Sequence, residues 1–368
     1  MGTAQEPLTL GAEEEYQLLD ARTGALVSVA DAVLEQLDGD VYEHELQRSM
    51  VETHSGVHER LADLRADLAA RRRALRAAAE NQGAWLVASG TVPLSDWRDQ
   101  SITSQPRYER MSREHGRVAS EQIVCGCHVH VGVPDRATGL RAMRHVVPWL
   151  PVLLALSTSS PYWQCRDTGY CSYRTQVWSR WPTAGFPPEF AGPEDYAELT
   201  QRLLRTGTVL DAAQLYWYVR PSEDFPTLEF RIADSCTRLD ETVLQAALCR
   251  GLVATALERD ATGVPPPAAH PTLLEAAAWR AARSGLGDLL VDPVAGDARP
   301  ARELVEALLE DVGPALERHG DHEAARDLLD DLLTGGTSAH RQREAVARRG
   351  RLEDGVTRLV RETDPDFR

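Results

Sequence analysis

At 368 residues the chain is long enough for one large or two ordinary domains, at roughly 150 residues per domain. Its 43% hydrophobic and 26% charged residues match ordinary folded, water-soluble proteins. Acids outnumber bases 56 to 40, a net charge of −16, which argues against nucleic acid or an anionic membrane as main partner because both require a basic surface. All 40 bases are arginine. Without lysine there can be no Walker P-loop, no kinase strand lysine and no Schiff-base or pyridoxal phosphate chemistry.

The first residues, MGTAQEPLTL, lack the basic and apolar regions of a signal peptide. The most apolar stretch, 146–156, is too short to cross a bilayer and contains Pro148 and Pro151. A cytoplasmic chain is expected, with its six cysteines as free thiols.

In chain order, 8–19 alternates like a strand with an acidic face, followed by a turn at 22–24. Residues 57–82 carry Val57, Leu61, Leu64, Leu68 and Leu75 at helical spacing, closed by Gly83. Strands are expected at 85–89 and 123–133, and a helix over 136–157 despite its prolines. Beyond these, 193–205 reads as a helix, 215–219 and 227–233 as strands, and 239–258 as a helix. The three prolines at 265–267 resemble a linker, and the remainder reads as helices without a strand. The expected organisation is one catalytic domain over 1–368, with a sheet-containing core (1–260) and a helical C-terminal part (261–368). The class is α+β.

Within the first strand, side-chain alternation puts Glu13 and Glu15 on one face and Glu14 on the other. Two facing carboxylates repel unless a cation lies between them, which points to hard divalent metals, the alternative being a solvated acidic edge. His128 and His130 share a face in the same way. Cys125 and Cys127 project oppositely, which disfavours a Cys-Cys-His zinc site. Glu229 and Arg231 share a face as either an ion pair or a metal ligand beside an anion clamp. Glu52 is a further acid among apolar neighbours. The segment 160–176, with Trp163, Tyr170, Tyr173, Arg166 and Arg174, suits either a polar substrate or aromatic packing.

Taken in order, GAEEEY, MVETHSG, GCHVHVGV, SSPYWQCRDTGYCSYR and TLEFRIAD resemble the carboxylate-amine ligases of the glutamate-cysteine ligase type 2 (YbdK-like) family. The resemblance runs from about residue 10 through GTSAHRQR at 336–343. It implies a curved antiparallel sheet forming a funnel flanked by helices, as in glutamine synthetase and the guanidino kinases, with ATP and Mg²⁺ or Mn²⁺ inside. It further implies that Glu13 and Glu15 ligate different metal ions, Glu52 joining Glu13, and His128 and Glu229 joining Glu15. Arg231 would face the transferred phosphate, and His130 the nucleotide or substrate. Arg166, Arg174 and Tyr170 would bind substrate. Cys165 and Cys171 stand where the family has small residues, which leaves acceptor specificity open.

The implied activity is ATP-dependent amide formation between a small carboxylate, glutamate foremost, and an amine, through an acyl phosphate. Homo-oligomerisation is left open. The rivals are a guanidino or amino-acid phosphotransferase on the same fold and a non-catalytic metal- or nucleotide-binding protein.

Overall fold

The computed structural model describes residues 8–367. Nine strands precede residue 235: β1 (Leu10–Asp20), β2 (Tyr42–His44), β3 (Met50–His54), β4 (Ala84–Val87), β5 (Gly126–Gly132), β6 (Tyr162–Trp163), β7 (Arg166–Asp167), β8 (Val219–Pro221) and β9 (Thr227–Asp234). Seven of them build one antiparallel sheet in the order β2-β3-β1-β5-β9-β8, with β4 pairing the far end of β1. The long first strand is therefore the spine. It meets β5 through Leu10–Glu14, β3 through Glu13–Gln17 and β4 through Gln17–Asp20.

Period-two alternation gives this sheet an apolar back. Leu10, Ala12, Val129, Val131, Leu228 and Phe230 are buried in one cluster with Leu61, Leu64 and Leu68 of the helix Leu61–Asn81 and with Leu244 and Leu248 of the helix Leu239–Ala261. The same cluster takes in Leu308, Leu316 and Leu329 from beyond the proline run, so the C-terminal helices pack on the core. Glu14 also points to the back, where Arg72 meets it with Nε 3.0 Å from Oε2. The final helix, Leu352–Thr363, covers β4: Val356 and Leu359 are buried with Leu19 and Val87, and the Thr363 hydroxyl accepts from the Ala88 amide.

Several boundaries differ from the sequence reading. The helix expected from Val57 begins at Leu61, because His58 bridges back to Leu10 and Val57 is left 76% exposed. The helix expected over 136–157 is interrupted by a 3₁₀ turn at Val147–Trp149, where Pro148 and Pro151 remove amide donors. In place of a strand at 215–219, the ladder starts only at Val219. A hairpin that alternation did not reveal, β10 (Leu289–Asp292) with β11 (Asp297–Pro300), interrupts the helical tail.

The β6–β7 hairpin turns on Gln164 and Cys165, both at positive φ (48° and 60°). A two-residue turn with both central residues left-handed favours Asn-Gly, and a non-glycine residue held there costs roughly 1–2 kcal/mol. Cys165→Gly is expected to raise stability by about 0.5–1 kcal/mol after glycine's unfolded-state entropy is counted. The check is a higher urea midpoint at unchanged m-value.

Candidate active site

The opposite, front face of the sheet is polar. Strand register brings Glu13 beside His128, Glu15 beside Glu52, and His130 beside Glu229, which in turn lies beside Arg220. His128 Nδ1 lies 2.8 Å and His130 Nε2 3.0 Å from Glu13. Glu15 accepts from the Gly126 amide at 2.5 Å, with His128 Nε2 3.6 Å away. Glu229 is held between two guanidiniums, Arg231 and, at 2.7 Å, Arg220.

Three groups of candidate ligand atoms lie within 4.8 Å of one another: Glu13, His130 and Glu229; Glu13, Glu52 and His128; and Glu15, Glu45 and Glu52. The grouping keeps Glu52 with Glu13, as the resemblance implied, and places His128 and Glu229 with Glu13 where the resemblance put them with Glu15. Glu52 stands between Glu13 and Glu15, because β1 and β3 pair at Glu15 and Glu52. Glu229 groups with Glu13 and His130, its neighbour across the β5–β9 ladder, and not with Glu15. No cysteine joins these groups among the described residues, and Cys127 packs on the back with Ala233 and Cys236.

Burial raises the Glu13 carboxyl, but hydrogen bonds and charge from the two histidines outweigh it and hold it well below the usual carboxylate range. Burial opposes ionisation of Glu229 too, and the Arg231 and Arg220 charges reverse that. Glu52 has no such partner: burial, then the charges of Glu13, Glu45 and Glu15, push it well above the ordinary range. Burial and the charge of Glu15 push Glu45 up to about 7. An acid cluster frustrated in this way, beside the buried His128 Nε2 that has no hydrogen-bond partner, fits divalent cations with oxygen and imidazole ligands.

Two cavities flank this cluster. The smaller, about 160 Å³, is lined by Glu15, Glu45, Glu52, Arg231 and the aromatic walls Trp178 and Tyr216. The larger, about 460 Å³ and mainly apolar, runs from Glu13 and His130 to Val57 and Phe225, which is 59% exposed. Neither is lined by Arg166, Tyr170 or Arg174. Arg166 is exposed on β7, and the Tyr170 hydroxyl accepts from Trp279 Nε1. Arg174 is buried behind the cavity wall, its guanidinium on main-chain carbonyls and 5.4 Å from the Trp178 ring. These three stand apart from the acidic cluster because the 160–176 loop is tied to the C-terminal helices, Arg343 meeting Asp167 and the Tyr170 carbonyl. Glu45 and Arg220 are the additions. Glu45 lies just past the three-residue β2, too short for a pattern, and Arg220 sits on a strand whose start was misplaced.

The sequence model of glutamate-cysteine ligase family 2 matches residues 9–362. A protein of Frankia alni, provisionally named glutamate–cysteine ligase 2-2, is 45% identical over 98% of this chain and 98% of its own length. A longer protein of the same provisional name from Frankia casuarinae is 43% identical over 97% of this chain, which spans 41% of it. Among solved structures, the glutamate–cysteine ligase of Francisella tularensis, in complex with AMP, superposes with a TM-score of 0.71 at 12% identity, covering 99% of this chain and 89% of that one, which shows a shared fold. With a family match spanning every strand that carries the acidic face, and relatives this similar along the whole described chain, the protein belongs to glutamate-cysteine ligase family 2.

Proposed function

We propose that the protein is an ATP-dependent carboxylate-amine ligase that phosphorylates the side-chain carboxylate of glutamate and lets an amine displace phosphate, with γ-glutamylcysteine as the first product to seek. The observation that carries this reading is the convergence of Glu13, Glu15, Glu52, His128 and Glu229 on one face beside Arg231, within a family of this activity. A carboxylate is too poor an electrophile for an amine at neutral pH, so activation as a mixed anhydride with phosphate is a chemical requirement. Mg²⁺ or Mn²⁺ held by the Glu13, Glu15, Glu45, Glu52, His128 and Glu229 side chains would neutralise the triphosphate and the charge that develops in transfer.

The chain's own groups divide the remaining work. Arg231 faces the smaller cavity and is fully charged, the Glu229 carboxylate outweighing the burial that opposes its charge. It supplies fixed donors where the phosphoryl oxygens gain charge. His130, its protonated form favoured by Glu13 over the opposing effect of burial, stands at the mouth of the larger cavity as a donor to the nucleotide. The size difference supports one assignment of the cavities. Sites for drug-sized ligands occupy roughly 300–1,000 Å³, so the larger cavity suits the nucleoside of ATP and the smaller one the carboxylate substrate. Trp178, Trp181 and Tyr216 wall the smaller cavity on its apolar side. Such a ligase works on free small molecules and fits a cytoplasmic setting; among the described residues no helix is long and apolar enough to cross a membrane.

Phe225→Ala is therefore expected to raise KM for ATP about 3- to 10-fold with kcat unchanged, as for loss of one stacking contact. The reaction itself is tested with glutamate carrying ¹⁸O in its γ-carboxylate. One label must appear in released phosphate for each amide formed. Label retained wholly in the amino acid while amide accumulates would reject the acyl-phosphate route, and a phosphorylated product that no amine consumes would favour the phosphotransferase.

A further inference from the structure

The β5–β9 ladder slips once, next to the site: Cys127 pairs with Ala233 and Val129 with Phe230, so His128 alone stands opposite both Arg231 and Ile232. This is a β-bulge, the device that re-aims a side chain at the cost of ladder bonds. Its carbonyls are not left empty. Arg174 donates from Nη1 to the Ile232 carbonyl and from Nη2 to the Arg231 carbonyl, each at 3.3 Å.

The setting of Arg174 is unusual. It is 2% exposed, its Nε has no partner, and it makes no ion pair among the described residues. The carboxylate its charge acts on, Asp234, is pushed up by burial against the Arg174 charge, and it is committed to the Ser159 amide and the Ser160 and Ser172 hydroxyls. The guanidinium lies flat against Gly126, where a Cβ would come within 2.4 Å of Nη2, and the same Gly126 offers its amide to Glu15. A buried cation kept without a directly paired carboxylate is costly unless its donors are needed in place. Here they fasten the bulge at Arg231, between the start of β5 that holds Glu15 and the Trp178 wall of the smaller cavity.

We propose that Arg174 is a positioning residue: by capping the two bulge carbonyls it fixes the direction of the Arg231 guanidinium, and it does not itself touch substrate. The inference rests on the ligase reading for its kinetic consequence, not for its structural one. Arg174→Gln keeps a single amide donor and Arg174→Lys keeps the charge but not the two-pronged geometry, so the pair covers the case in which one variant fails to fold. Each is expected to lower kcat about 100-fold, the scale of a 1 Å misplacement, with ATP affinity within about threefold. Guanidinium ion at low millimolar concentration should restore part of the loss in Arg174→Gln. Placed in an Arg231→Met background, the same change should cost less than about threefold more, because a residue acting through Arg231 has nothing further to lose.

Backbone hydrogen exchange gives the readout independent of turnover. The segment 227–236 should exchange about tenfold faster in either variant while the remainder of the sheet is unchanged. Unchanged exchange there would overturn the proposal. Losses that add fully to that of Arg231→Met, carried by a raised KM for the carboxylate, would also overturn it and make Arg174 a substrate ligand. A wild-type protein without ligase activity would sink the proposed function but leave the exchange test to decide this one.

Discussion

Arg231→Ala is expected to lower kcat by about 10²- to 10³-fold while ATP affinity changes by no more than about threefold, the signature of a donor used mainly in the transition state. The geometry makes this variant clean. Glu229 keeps a second partner in Arg220 at 2.7 Å, so deleting Arg231 does not strand a buried carboxylate. The measurement is steady-state kinetics beside equilibrium nucleotide binding on the same preparation. A loss confined to KM, with kcat intact, would mean that Arg231 binds ground state and transition state alike and that the phosphoryl group lies elsewhere.

The largest effect on stability is expected behind the sheet. Arg72 is wholly buried, and besides Glu14 it donates to the Thr237 and Cys236 carbonyls at 2.8 and 2.9 Å. Arg72→Met should cost about 3–5 kcal/mol near neutral pH, because Glu14 is left charged and unpaired in the interior. The pH dependence should change sign. In the wild type, burial raises the Glu14 carboxyl but the Arg72 charge outweighs it and holds it below its ordinary value. The pair's contribution is thus present above the unfolded carboxyl's range, about 4.3, and is lost as pH falls through the lower folded value. In Arg72→Met burial is opposed only by the Tyr16 and Thr242 hydrogen bonds and the folded value rises, so stability should fall as pH increases from about 5 to 8. Urea unfolding across that interval checks it, and a variant whose stability still climbs with pH would show that Tyr16 and Thr242, the other hydrogen-bond partners of Glu14, suffice to keep it ionised.

What the sequence disclosed was set by period. Glu13 and Glu15, His128 and His130, and Glu229 and Arg231 are each two residues apart in strands long enough to alternate, so their common face could be read directly, and Glu14 could be placed opposite. The identity of the strands facing one another could not. That Glu52 would stand across from Glu15, and Glu229 across from His130, depends on register, which is fixed by cores and turns distant in sequence. Glu45 was invisible because a three-residue strand carries no pattern. The bulge at His128 was invisible because nothing in GCHVHVG or TLEFRIAD departs from regular alternation. Arg174 was singled out for its charge, and the structure shows that charge turned inward on main-chain oxygens. The β10–β11 hairpin escaped because both strands are four residues long and largely solvent-facing, with Leu289 38% exposed.

The helix Leu352–Thr363, which covers β4, has a consequence for the order of assembly. Leu19 and Val87 are synthesised early, but their cover comes from Val356 and Leu359, and the helix Leu61–Asn81 is tied down by Arg73 to Asp366 at 2.7 Å, across nearly the whole contour of the chain. Each doubling of a closing loop adds only about 0.6 kcal/mol of entropy. The burden is therefore one of rate: contacts of such separation reward the chain last, and folds dominated by them are slow. Until that helix docks, the apolar side chains Leu19 and Val87 lack that cover. The nascent protein thus passes through an interval in which its spine is formed and its flank is bare, the interval in which a chaperone has most to protect.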